Sequence, residues 1–235
     1  MKISKKEQAK NKIKILKVAV NLIAKGGYKK TSMRKIAKEA NIAEATIYNY
    51  FPTKEHIVYE YFYNLQTETK KRLLKIKEFN TFSLKEQIQT LIDIELEILQ
   101  KDRSFVIEVF NELFYKSFNH PALQKGIDEL NSIIEELIDI AIEANEIESF
   151  EFNSTMKNLF INYYFGVIYY WINDNSNNFD NTTILVDKSL DLIYAMLKSQ
   201  IIQKSKELFS FLIKTHILSY ITPNKKFNKR DLSNE

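Results

Sequence analysis

The chain has 235 residues, 45% of them hydrophobic, with only four glycines and three prolines; this excludes a disordered or turn-rich β chain and predicts an all-α protein with a substantial core. It has no cysteine, which excludes a disulfide framework and a thiolate metal site. The net charge of +4 is unevenly spread: residues 1–54 hold 14 Lys and Arg against three acids (Glu7, Glu39, Glu44), a net of +11 that leaves −7 for the rest.

A basic head on an acidic body is the electrostatic outline of a polyanion-binding module joined to one with a different task. A lysine-rich solvated surface would give the same count. The amino terminus, MKISKKEQAKNKIK, lacks the apolar stretch of a signal peptide, so a cytoplasmic protein is expected.

The first helix is expected over about residues 8–25, where Ile13, Leu16, Ala19, Val20, Ile23 and Ala24 form one apolar stripe. Gly26-Gly27 ends it. Thr31-Ser32 supplies an N-cap for a short helix in which Met33, Ile36, Ala37 and Ala40 face inward, and Asn41 tolerates the left-handed turn that follows. A third helix, about 43–50, sets Ala43, Ile47 and Tyr50 or Phe51 on one side and Thr46, Tyr48 and Asn49 nearer the other; Pro52 stops it. Two short helices joined by a tight turn behind a longer one make a helix-turn-helix, whose second helix fits the DNA major groove.

Farther on, helices are expected over about 54–78, 84–100 (opened by a Ser83-x-x-Glu86 capping box), 102–118, 121–146, 153–173, 183–203 and 205–220, with a polar tail over 221–235. NLFINYYFGVIYYWIN, residues 158–173, carries no charge, yet it is shorter than a bilayer span and holds three asparagines and four tyrosines, so a buried helix is expected and no membrane contact.

The stretch ILKVAVNLIAKGGYKKTSMRKIAKEANIAEATIYNYFPTKEHI resembles the amino-terminal domain of the tetracycline-repressor (TetR) family of bacterial transcription regulators. The shared features are Ile15-Leu16, Ala19, Leu22-Ile23, Gly27-Tyr28, Thr31, Ile36-Ala37, Ala40 and Thr46-Ile47-Tyr48-x-Tyr-Phe followed by Lys54-Glu55, over about residues 10–60. Two positions depart from it: Asn41 replaces the usual turn glycine, and Ala43 replaces a capping serine.

The resemblance implies a helix-turn-helix DNA-binding domain over 1–54, a larger helical ligand-binding and dimerisation domain over 55–220, and a tail over 221–235. It implies a homodimeric repressor released from a palindromic double-stranded DNA operator by a small-molecule effector, with no cofactor. DNA contacts are expected from Thr31, Ser32, Arg34, Ala45, Thr46, Tyr48, Asn49 and Lys54. The chemistry agrees: Asn pairs with adenine, Arg with guanine, Thr or Ala touches a thymine methyl, and Tyr and Lys suit phosphates. Phe105, Phe110, Phe114, Tyr115, Phe118, Tyr163, Tyr164 and Tyr170 are candidates to line a pocket for an apolar or aromatic effector, although each also suits plain core packing. In the family the region of 158–173 and the helix after it form a four-helix dimer interface, and Gly166 would let a helix approach closely.

No catalytic reading survives. The three histidines are far apart in sequence, and neither a glycine-rich phosphate loop nor a Gly-x-Ser-x-Gly elbow occurs. Glu108 and Glu112, like Asp187 and Asp191, have the spacing of a solvated helix face. The alternative from another class is a helical ligand-binding or interaction protein whose short helix pair is structural.

Overall fold

The computed structural model describes residues 4–117, 120–149 and 154–199. Within them lie nine α-helices and no strand: α1 (Lys5–Gly26), α2 (Met33–Glu39), α3 (Glu44–Tyr50), α4 (Lys54–Leu73), α5 (Leu84–Gln100), α6 (Arg103–Ser117), α7 (Pro121–Glu143), α8 (Ser154–Asn173) and α9 (Asp180–Lys198). The expected helix over 205–220 and the tail over 221–235 lie outside the described residues.

Local chemistry sets most boundaries. Ser4, Ser32 and Ser83 accept from the backbone three residues on, and Glu86 returns the bond to complete a capping box at α5. His120 caps α7, with Pro121 in the first turn. Gly27 closes α1 at φ 83° and Asn41 makes the turn after α2 at φ 50°, the left-handed conformation expected there. Phe51 is extended ahead of Pro52, which ends α3. No side chain caps Ala43.

Two apolar clusters organise the chain. Ile15, Ala19, Ile36, Ala37, Ala40, Ile47, Phe51 and Ile57 form the small one, drawn from α1 to α3 and the start of α4. The large one runs through α4 to α9 and also takes Val20, Ile23 and Tyr28 from the head side. Helices α1 and α4 therefore belong to both.

In the body, α4 and α7 run side by side in the same direction: Lys125 stands over the Tyr63 ring, and Lys70 pairs with Glu136 at 3.0 Å. Gly126 lies against the Tyr63 backbone, where a Cβ would sit in ordinary contact at 3.6 Å. Arg103 of α6 clamps the end of α8 by donating to the carbonyls of Trp171, Ile172 and Asp174, and it lies over the Trp171 and Phe179 rings. The Asp174 carboxylate then ties α8 to α9, accepting from the amides and hydroxyls of Ser176 and Thr182, and these bonds hold it well below the usual carboxylate range. Asp187 and Asp191 do not face solvent as free acids; both hold Lys85 of α5, at 2.8 and 2.5 Å.

Ile47 is wholly buried where α3 meets α1 and α2. Ile47→Ala should destabilise the head by about 2–5 kcal/mol, read as a lower denaturation midpoint.

Candidate nucleic-acid interface and effector cleft

On the head, α3 turns Ile47 inward and leaves Ala45, Tyr48 and Asn49 exposed, with Thr46 half-buried. Tyr48 is 47% exposed, whereas Tyr50 is half-buried and accepts from Asn11 at 3.0 Å. Arg34, on α2, is exposed beside this face and pairs with Glu44 at 3.4 Å. The acid that sits awkwardly in a DNA-reading helix thus has a cation within the same helix pair.

Two residues expected at DNA are engaged within the head. Thr31 is fully buried, and its hydroxyl donates within the head, toward the carbonyls of Gly27 (2.9 Å) and Leu22 (3.3 Å), so it braces the turn between α1 and α2. Ser32, exposed beside it, is the residue that caps α2, accepting from Lys35 at 3.2 Å. Lys54 is turned toward the head's own backbone: its ammonium donates to the carbonyls of Tyr28 (2.5 Å) and Thr31 (2.8 Å) and lies over the Tyr28 ring. Burial lowers its pKa.

Head and body meet around Tyr28. Its amide donates to Glu108 of α6 at 3.1 Å, its hydroxyl to Glu55 of α4 at 2.6 Å, and Lys29 next to it pairs with Glu112 at 2.9 Å. Burial first, then the Glu55 carboxylate, push the phenol upward. Glu108 and Glu112 are therefore docking points for the head, although their spacing reads as a solvated face. His56 and His120, distant in sequence, also meet at this joint with ring centroids 5.2 Å apart, and both contact Tyr59.

In the body a cleft lies between α4, α7 and α8. Phe62 and Gln66 form one wall, Leu123, Gly126, Ile127 and Leu130 another, and Ile161, Tyr164 and Phe165 the third; its free volume is about 20 Å³. Of the expected pocket residues only Tyr164 lines it. Phe105 and Phe110 are buried in the large core, Phe105 against Tyr61 and Phe110 near Phe165 and Tyr169. Tyr163 points to α9 and bonds to Ser189 at 2.8 Å, and Tyr170 is exposed on the outer face of α8. The side chains of Phe114, Tyr115 and Phe118 lie outside the described residues. Gly166 faces open space: a Cβ there would meet nothing within 4 Å.

The residues missed lie on α4, α5 and α7. Their signal was a polar side chain within an otherwise apolar stripe, Gln66 and Thr69 on α4, Glu95 on α5 and Asn131 on α7, all buried. Glu95 is completely enclosed and accepts from the Tyr164 hydroxyl. Burial raises its carboxyl to about 7, against the opposing effects of Tyr164, Gln66 and Thr69.

A DNA-reading helix pair whose brace is hydrogen-bonded to a helical body with an internal cleft defines a one-chain transcription regulator. Comparison with known proteins agrees. Residues 15–61 match "Bacterial regulatory proteins, tetR family" and residues 87–212 match "Tetracyclin repressor-like, C-terminal domain". The chain belongs to the TetR family; it is a ligand-responsive DNA-binding transcriptional regulator and not an enzyme.

It is 29% identical over 148 residues to the Fatty acid metabolism regulator protein of Bacillus subtilis, covering 61% of this chain and 74% of that one. The transcriptional repressor KstR of Rhodococcus jostii is 38% identical over 56 residues, 24% of this chain and 26% of that one. Among solved structures, FadR from Bacillus subtilis in complex with stearoyl-CoA aligns with a TM-score of 0.55 at 22% identity over 80% of this chain and 97% of that one. Among the described residues no helix is long and apolar enough to cross a membrane, and no group of three or more His, Cys, Asp or Glu could hold a metal ion.

The folded protein holds the Glu95 proton more tightly than the unfolded chain, so the stabilisation is complete below 4.5 and lost as the pH rises through about 7. The span corresponds to roughly 3 kcal/mol. Wild-type melting temperature should fall from about pH 5 to about pH 8 relative to Glu95→Gln, as scanning calorimetry would show.

Proposed function

We propose that the protein is a homodimeric repressor that reads a palindromic operator through α3 and releases it when an effector enters the cleft between α4, α7 and α8. Ala45, Thr46, Tyr48 and Asn49 contact bases or adjacent phosphates, Arg34 exchanges Glu44 for DNA, and Ser32 donates its hydroxyl to a phosphate. Lys54 holds the turn and adds positive charge beside the backbone. The observation that carries this reading is the unpartnered outer face of α3: Tyr48 and Asn49 are exposed on a helix whose opposite side is anchored by Ile47. The division of the chain near residue 54 into reading head and effector-binding body follows the same logic, with α4 as the lever between them.

Dimerisation is assigned to the outer face of α8 and α9. Leu159, Tyr169, Tyr170, Ile184, Leu192 and Met196 are between 37% and 63% exposed there, more contiguous apolar surface than a monomer usually leaves open. Gly166, in the middle of the α8 stripe, leaves room for a partner helix to pack closely. Two copies related by a twofold axis would bury this face and set two α3 helices about one DNA turn apart. An effector with a hydrocarbon part suits the apolar walls of the cleft, and FadR from Bacillus subtilis, which has this fold and is solved in complex with stearoyl-CoA, supports the reading.

Tyr48→Ala and Asn49→Ala should each weaken binding to a palindromic site from the gene's upstream region by about 5- to 150-fold in gel shift, with melting temperature unchanged. A large loss of stability in either variant would favour a purely structural helix pair. Leu192→Glu should convert the dimer to a monomer in analytical ultracentrifugation while the helical circular dichroism signal is retained.

A further inference from the structure

At the inner end of the cleft lies a polar nest that neither the apolar walls nor the fold requires. Gln66 and Thr69 of α4 and Glu95 of α5 are buried together, and Asn131 is buried on α7, the helix packed along α4. Tyr164 joins the nest to the cavity, since its side chain lines the cleft and its hydroxyl donates to Glu95. Gln66 lines the same cavity.

Three buried oxygens on these helices have no hydrogen-bond donor in the protein: Gln66 Oε1, Glu95 Oε1 and Asn131 Oδ1. Buried polar atoms are nearly always paired, so such a group calls for a partner. The two amide oxygens can only accept, as does the carboxylate once ionised, and a ligand that brought only acceptors, such as a carboxylate or a thioester carbonyl, would leave them unmet. A hydroxyl donates once. An ammonium donates three times and supplies the counter-charge that lets a buried carboxyl ionise. Phe62, Tyr164 and Phe165 add ring edges and faces along the approach, and ring faces attract cations.

We propose that the effector of this cleft is an amphiphilic amine, its ammonium hydrogen-bonded to Glu95 and Gln66 and its apolar body held between α4, α7 and α8. The inference rests on the reading that the body binds an effector in this cleft, and it names the chemistry of the buried end. The proton balance follows. Near pH 6 Glu95 is protonated; the amine enters as an ammonium, the carboxyl ionises against it, and one proton passes to the buffer. Near pH 9 the carboxyl is already ionised and no proton is released. The other titratable groups facing Glu95 are the phenols of Tyr164 and, beyond it, Tyr61, and burial keeps both protonated over this range.

Isothermal titration of the full chain with octylamine, 1-octanol and stearoyl-CoA, in two buffers of different ionisation enthalpy, tests this. Octylamine is expected to bind at least about tenfold more tightly than octanol and to release about one proton per site near pH 6 and none near pH 9. Glu95→Gln should abolish the proton release and lower octylamine affinity about tenfold or more, and Gln66→Leu should lower the affinity with the release intact; a cooperative melt of each variant shows that it is folded. Equal or tighter binding of octanol or stearoyl-CoA in this cleft, or octylamine binding that is indifferent to Glu95→Gln, would overturn the amine while leaving the cleft as an effector site. Failure of all three probes to bind would overturn both readings.

Discussion

Tyr28 is the residue through which the two halves of the molecule are joined. Its ring is buried where α1 ends, its amide is held by Glu108 of α6, its hydroxyl by Glu55 of α4, and its carbonyl by Lys54. The turn that carries Tyr28 also carries Thr31, whose hydroxyl and carbonyl are bonded within the same joint, and α2 starts two residues later. The position of α2 relative to α4 and α6 is therefore set by hydrogen bonds as well as by the apolar cluster that joins Ile36 and Ala37 to Ile57. Such bonds have narrow geometry, so a shift of α6 or α4 either carries the head along or breaks a charge-assisted contact.

Much of the fold was legible because it is written in local chemistry. The glycine pair after α1, the serines ahead of α2 and α5, Asn41 and Pro52 act on their own neighbours within a few residues, and the predicted ends fall close to the observed ones. The outward set on α3 followed from periodicity, because Ile47 and Phe51 fix which side is packed. What was not legible depends on partners distant in the chain. Glu108 and Glu112 have the spacing of a solvated face and are bound to the head; Asp187 and Asp191 look solvated and hold Lys85. Thr31 and Lys54 were expected at DNA on the strength of residue type and motif position, yet both serve the backbone between them. The cleft was sought among the aromatic residues of α6 and α8, where aromatic density is highest. It is lined instead largely by aliphatic residues of α7 and by the polar interruption Gln66 on α4.

Arg34 and Glu44 show how a DNA-reading surface can be kept ready without being rigid. Both side chains are well exposed, 81% and 56%, and exposed pairs of this kind contribute at most about 1 kcal/mol. Exchanging the carboxylate for a phosphate or a guanine edge thus costs little, while in the free protein the pair offsets the one acid on α3 that DNA would repel. The basic head supplies the remaining attraction, which salt weakens as counterions compete.

The effector's influence is limited by how differently it binds the two states of the protein, and the cleft makes that difference large. If the effector enters this cleft as proposed, the cleft has to open, because about 20 Å³ is too small for any hydrocarbon chain, and the ligand then acts on the open arrangement. Opening has to part α4 from α7 and α8, because these three helices are the walls. Helix α4 carries Ile57 into the head core and Glu55 into the Tyr28 joint, so the wall that moves is the element the head is built on. Moving such an equilibrium from about 1:99 to 99:1 needs a differential of roughly 5.5 kcal/mol, the same amount by which bound operator must oppose effector binding. A ligand that finds no site in one state and a complete one in the other can meet that requirement without touching the head.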